Sequence, residues 1–234
     1  VFVILSYYTV LTGWCFDYFL RAANGSFDGI SNEASAAMFS GLMSNPLLLL
    51  FWTTVVYLLT VLIIRRGVQA GIEKANKILM PGLFLALVVM VIYGAVAGDI
   101  DAAMTFLLEP DFSKVGFRTV LIATGQVFFS IGIGMSAFIT FGTYMPKEFS
   151  IPRSASIIIL TDTGVALLAG FAVFPLVFLY GLEPSSGPGL LFQTLPVAFG
   201  QMAGGHLFGG IFFFLLISAA LTSCIGCAES VVNW

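Results

Sequence analysis

Charge is what this chain has least of. Only 9% of its 234 residues are Asp, Glu, Lys or Arg, while 59% are hydrophobic; a soluble domain carries roughly 25% charged residues. A chain this poor in charge is not a soluble protein. Disorder requires low hydrophobicity with high net charge, and the mean hydropathy of +1.04 is the opposite. The net charge of −3 leaves no basic patch for a nucleic acid. Cysteine is scarce as well. Cys15, Cys224 and Cys227 are odd in number and lie inside apolar runs. Cys224-Ile225-Gly226-Cys227 has redox or metal spacing, but without the βαβ context or further ligands such sites need. Two small side chains on a packed helix are the plainer reading.

What is present is long uncharged sequence. Residues 1–16, 34–64, 78–98, 119–146, 163–182 and 184–228 carry no Asp, Glu, Lys or Arg, and a membrane helix needs ~20 apolar residues. Backbone polar groups in hydrocarbon must be satisfied within the segment, so these runs predict helices; barrel strands would be short and alternating. We expect an all-α membrane protein with six spans, near 1–22, 42–64, 76–97, 119–145, 154–181 and 206–234. The chain opens and closes inside apolar runs and lacks an initiator Met, so a piece of a larger protein is expected. Basic residues gather in cytoplasmic loops. Arg65, Arg66, Lys74 and Lys77 follow the second span, and Lys147 and Arg153 follow the fourth, so those loops are expected inside. Of the outer loops, 98–118 and 183–205 are long. The second carries Pro184, Gly187, Pro188, Gly189 and Pro196 around Leu190-Leu191-Phe192, which fits a short re-entrant or interfacial hairpin.

Polar and helix-breaking residues within a span are the informative ones. The fourth span reads Gly125-Gln126-Val127-Phe128-Phe129-Ser130-Ile131-Gly132-Ile133-Gly134-Met135-Ser136-Ala137. Gly costs about 1 kcal/mol in a helix interior, so the helix either comes apart near 131–136 or packs closely there through small residues. Asp162 stands inside the fifth span, where an ionised carboxylate costs at least ~3 kcal/mol unless it faces a cavity, a partner or a cation, or snorkels to water. Thr222 and Ser223 form a hydroxyl pair in the sixth span, with Glu229 beyond them. Hydroxyls in such helices bond back to earlier carbonyls; with Ser130 and Asp162 they also form a set of hard oxygen ligands of the kind that holds sodium. In the first span Tyr7-Tyr8, flanked by Ser6 and Thr9, offers phenols that want a hydrogen-bond partner. That partner is either a substrate carboxylate or a neighbouring helix. An enzymatic reading is weak. Gly134-Met135-Ser136-Ala137 has a faint look of the serine motif of an intramembrane protease, but the single histidine, His206, lies at the outer end of the last span, and a serine without a base in reach is not activated.

These residues together resemble the bacterial neurotransmitter:sodium symporters, the LeuT-type transporters. The stretch 125–134 resembles the family's unwound sixth helix, and Leu221-Thr222-Ser223 its eighth. Arg66-Gly67 through Gly71-Ile72-Glu73-Lys74 to Met80-Pro81 resembles the entry to the fifth, and Tyr7-Tyr8 with Trp14 the third. The resemblance implies a LeuT-type inverted-repeat helical bundle: 1–97 ends one repeat, 98–118 is an outer loop, and 119–234 begins the next with outer loop 183–205. It implies that the first two helices and the ninth onward lie outside this chain. It further implies sodium-coupled symport of a bulky hydrophobic L-amino acid across a bacterial cytoplasmic membrane, with proton coupling through Asp162 as the alternative. Ser130 and Asp162 would bind a first sodium; the Ala219 carbonyl, Thr222 and Ser223 a second. Ile4, Tyr8, Phe129, Ser130, Gly132, Gly134, Met135, Ser223 and Cys227 would meet the substrate. Phe129, Tyr144, Gly71 and Pro81 would serve gating, with the partners of Tyr144 expected outside this chain. The family's usual Asn appears here as Asp162, so no chloride requirement is expected.

Overall fold

The computed structural model describes residues 1–67, 73–132, 136–144, 146, 148–184 and 187–232. These form helices α1 (Phe2–Ala23), α2 (Asn32–Met43), α3 (Pro46–Ile64), α4 (Lys74–Ala97), α5 (Ile100–Leu108), α6 (Phe117–Ser130), α7 (Ser136–Thr143), α8 (Ile151–Leu179), α9 (Leu195–Gln201) and α10 (Gly205–Val232). Among the described residues there is no strand. Among the described residues, four segments are long and apolar enough to cross a membrane: Pro46–Ile64, Lys77–Ala97, Ile151–Leu179 and Gly205–Val232. The other two expected spans differ for physical reasons. α1 carries Asp17 and Arg21 along with Ser, Thr and Tyr, and the fourth span is divided into α6 and α7.

The loops expected outside hold more structure than their sequences announce. The span expected at 42–64 begins instead at Pro46. Its Asn45 cap accepts a hydrogen bond from the Leu48 amide, and proline is well suited to the first helical position. Before it, Ser31 caps α2 by accepting from the Ala34 amide. In loop 98–118, Asp99 caps α5 through the Ala102 amide at 3.0 Å. Farther along, Asp111 pairs with Lys114 at 2.9 Å; hydrogen bonds from Ser113 and Lys114 hold its carboxyl down at about 2. Loop 183–205 holds helical structure of its own. It forms a π-helical turn, Leu190–Thr194, running into α9, and Phe192, Leu195 and Phe199 are fully buried. An apolar turn with this much surface is pulled into the protein core.

α1 and α10 share the most extensive interface, and α4 packs on both α8 and α10. In hydrocarbon the apolar surface of a helix gains nothing from leaving lipid, so close packing and hydrogen bonds hold these helices together. Asp17 of α1 shows both: it pairs with Arg21 one turn on and accepts from the Trp52 indole of α3 at 3.2 Å. Asp17 is buried, while the Arg21 side chain stays 30% exposed, so Asp17 ties α1 to α3 at the edge of the packed interior rather than within it. The outcome is a scaffold of α1, α4, α8 and α10. α2, α5, α9 and the π-helical turn cover one end of it, the capped end.

Candidate functional site

The site begins where α6 stops. Ile131 closes the helix with its amide on the Val127 carbonyl, and the Gly132 amide turns to Phe129 at 3.3 Å. Gly132 then takes φ +71, a left-handed backbone that costs other L-residues roughly 1–2 kcal/mol. α7 restarts at Ser136. The expected break near 131–136 is therefore present, although Gly134 and Met135 themselves lie outside the described residues.

The last residue of α6 reaches across to α8: Ser130 Oγ donates to Asp162 Oδ2 at 2.6 Å. Asp162 is half-buried, and a charge-assisted bond of this length is among the stronger ones. One residue earlier, Phe129 stacks on Tyr8 of α1 with ring centroids 6.3 Å apart and planes 28° from parallel. Tyr8 and Ile4 pack in turn against a cluster containing Leu5, Val56, Leu221, Cys224 and Cys227. So Ile4, Tyr8, Phe129, Ser130, Asp162 and Cys227 gather around the break, where Gly132 is also buried.

The hydroxyl pair on α10 behaves as a unit. Thr222 Oγ1 and Ser223 Oγ both donate to the Ala219 carbonyl, at 2.8 and 3.1 Å. With both hydrogens aimed at one carbonyl, the lone pairs of the two hydroxyls stay free, a hard-oxygen donor set suited to an alkali cation.

At the other end of α7, the Tyr144 hydroxyl donates to Glu229 of α10 at 3.0 Å. This corrects the expectation that the partners of Tyr144 lie outside the chain. Glu229 is 4% exposed; in the sequence it is only an acid late in the last span. Pro81 sits within α4, which nonetheless runs unbroken from Lys74; its ring removes the amide that would bond the Lys77 carbonyl. Gly71 lies outside the described residues.

Comparison with known proteins decides the family. The model of the sodium:neurotransmitter symporter family matches residues 39–233. The chain belongs to that family. It is 40% identical over 231 residues, 99% of its length, to the sodium-dependent transporter YhdH of Bacillus subtilis (strain 168), of which it covers 51%. It is 37% identical to a sodium-dependent transporter of Haemophilus influenzae, covering 52% of that protein. A crystal structure of MhsT in complex with L-phenylalanine superposes with a TM-score of 0.86 at 39% identity, over 98% of this chain and 52% of that one. The chain thus spans about half the length of the relatives it matches.

Membership of this symporter family makes the architecture the LeuT-type bundle that the motifs implied, and with the four apolar helices it makes this a multi-pass membrane chain. The relatives are named as transporters, which supports the non-enzymatic reading. Cys15, Cys224 and Cys227 are free thiols, and Cys224 instead meets the Thr12 hydroxyl at 3.4 Å across the α1–α10 interface. Sequence reasoning passed over that contact and the Asp17–Trp52 bond. Polar residues one or two turns apart on α1 were the available signal.

Proposed function

We propose that the full polypeptide is a sodium-coupled symporter of bulky hydrophobic L-amino acids that works by alternating access. One observation carries the reading above the rest: the Ser130–Asp162 hydrogen bond at 2.6 Å sits at the end of a broken helix and next to the Tyr8–Phe129 stack. A broken membrane helix frees amides and carbonyls for an amino-acid head group, and the adjacent carboxylate and hydroxyl suit sodium. In this reading Ser130 and Asp162 hold a first sodium against the substrate carboxylate, which Tyr8 also binds. The Ala219 carbonyl, Thr222 and Ser223 hold the second. Gly132 and Gly134 present backbone to the head group, and Ile4, Phe129, Met135, Ser223 and Cys227 line the side-chain pocket. Substrate and the first sodium complete each other's site, so each raises the other's affinity by the same factor.

The relatives' description as sodium-dependent and the L-phenylalanine in the MhsT complex support this reading. Loops 65–77 and 146–153 face the cytoplasm of a bacterial cell, so the capped end faces outward. Asp162 supplies the negative charge near the first sodium, and chloride is not needed. Uptake by the full-length protein in membrane vesicles tests the proposal: replacing sodium with potassium or choline should abolish accumulation. Undiminished uptake in the absence of sodium would overturn it.

A further inference from the structure

Phe192, in the π-helical turn at the capped end, is fully buried. Its ring lies 5.7 Å from Trp14, 5.0 Å from Tyr18, 5.6 Å from Phe39 and 6.1 Å from Phe213, centroid to centroid. The turn is tied to the α1–α3 connection by Ser35 Oγ donating to the Gln193 carbonyl at 2.7 Å. A second tie runs from the Gly29 amide to the Gly200 carbonyl at 3.0 Å. On either side stand hinge-like positions, Gly181 at φ +61 and Gly204 at φ +74.

This seating is imperfect in one respect. Trp14 Nε1 and the Tyr18 hydroxyl are buried beneath it with no hydrogen-bond partner among the described residues, and no other buried side-chain nitrogen or oxygen there is left so. The two residues are one helical turn apart on α1, and both rings press on Phe192. A buried donor without a partner forfeits its hydration with no return, whereas water would satisfy both donors once Phe192 withdrew. We propose that Trp14 and Tyr18 are positioning residues that oppose the seated turn, holding residues 190–199 close to balance between a docked and a released position. Phe192 burial pulls one way and the two unpaired donors pull the other. A two-state element with a small gap is what a ligand elsewhere is able to bias. Trp14 and Tyr18 lie six and ten residues from Tyr8, about 9 and 15 Å along the helix axis, so the balance acts on the same rod that carries the substrate-binding phenol. The inference rests on the transport reading only for the purpose of the motion.

Hydrogen exchange read by mass spectrometry on peptides spanning 190–199 of the full-length protein, without sodium or substrate, tests it apart from transport. Tyr18→Phe deletes only the hydroxyl and should slow exchange roughly tenfold, equivalent to ~1.4 kcal/mol. Replacing Trp14 with benzothienylalanine, which keeps the ring and loses the N–H, should act the same way, and Phe192→Ala should speed exchange. Exchange in the α1–α10 interface should not change in the first two variants. Unchanged or faster exchange at 190–199 in Tyr18→Phe and in the benzothienylalanine variant would mean that the donors are paired in the docked state, by a buried water or otherwise, and would overturn the proposal. Slowed exchange with sodium-independent uptake would sink the transport reading alone.

Discussion

At the scale of single residues, the proposed first sodium site depends most on Asp162. A carboxylate there costs several kcal/mol unless a cation or donor meets it, and Ser130 supplies one donor at 2.6 Å. Asp162→Asn keeps the shape and removes the charge. We expect its half-saturating sodium concentration to rise at least tenfold, about 1.4 kcal/mol, and its uptake to become responsive to chloride; wild-type uptake that fell sharply in gluconate medium would refute the charge argument. Ser130→Ala should weaken sodium binding without introducing chloride dependence. These residues were legible in the sequence because a polar group inside a long apolar run stands out by itself. Glu229 stood out too, but its bond to Tyr144 depends on how α7 sits against α10, and hydropathy carries no information about that. The Asp17–Trp52 bond was hidden for the same reason: it needs the facing of two helices 35 residues apart in sequence.

Among the elements, the long apolar helices were readable and the short ones were not. A window of about 19 residues averages away α2, α5 and α9, of 12, 9 and 7 residues, although the caps Ser31, Asn45 and Asp99 were in plain view. The break between α6 and α7 was legible because glycines mark it. Gly132→Ala must hold φ +71 with a Cβ, at roughly 1–2 kcal/mol. We expect substrate affinity to fall about tenfold with folding intact, measured by equilibrium binding. Gly200→Ala is a different case: a methyl there would stand 1.9 Å from the Phe27 carbonyl oxygen, so the capped end should fail to dock and thermal stability should drop. Pro81 leaves the Lys77 carbonyl without its helical donor. Pro81→Ala should therefore tighten the start of α4 and slow hydrogen exchange around residues 73–80. In the wild type the same segment should exchange faster without sodium than with it. Equal exchange in the two conditions would argue against the gating role expected of Pro81.

The whole molecule sets what the pocket accepts. Every residue of α6 is exposed in this chain, and the relatives are about twice as long, so binding has to be measured on the full polypeptide. Within this half, the side-chain pocket proposed around Ile4, Tyr8, Phe129, Gly132 and Cys227 contains no charge. A charged side chain would lose its hydration there without compensation. Gly132 and Cys227 are small, so in the proposed pocket they would leave room for a bulky group, and the Tyr8–Phe129 stack would offer an aromatic wall to which a further ring adds about 0.5–1.5 kcal/mol beyond its buried area. Met135, which the proposal also assigns to the pocket, is unbranched, and such a side chain is able to repack around ligands of different shape. Discrimination by one methylene in such a pocket is worth only about 1–3 kcal/mol. Several hydrophobic amino acids should therefore compete, with the larger ones favoured. Sodium-dependent binding of labelled leucine, challenged with each amino acid in turn, measures this directly. Phenylalanine, tyrosine or tryptophan should displace the label at lower concentration than alanine or glycine, and Cys227→Leu should reverse that order by filling the floor. Displacement by alanine or glycine with failure of all three aromatic amino acids would show that the pocket is small and that its size is set from the other half of the polypeptide.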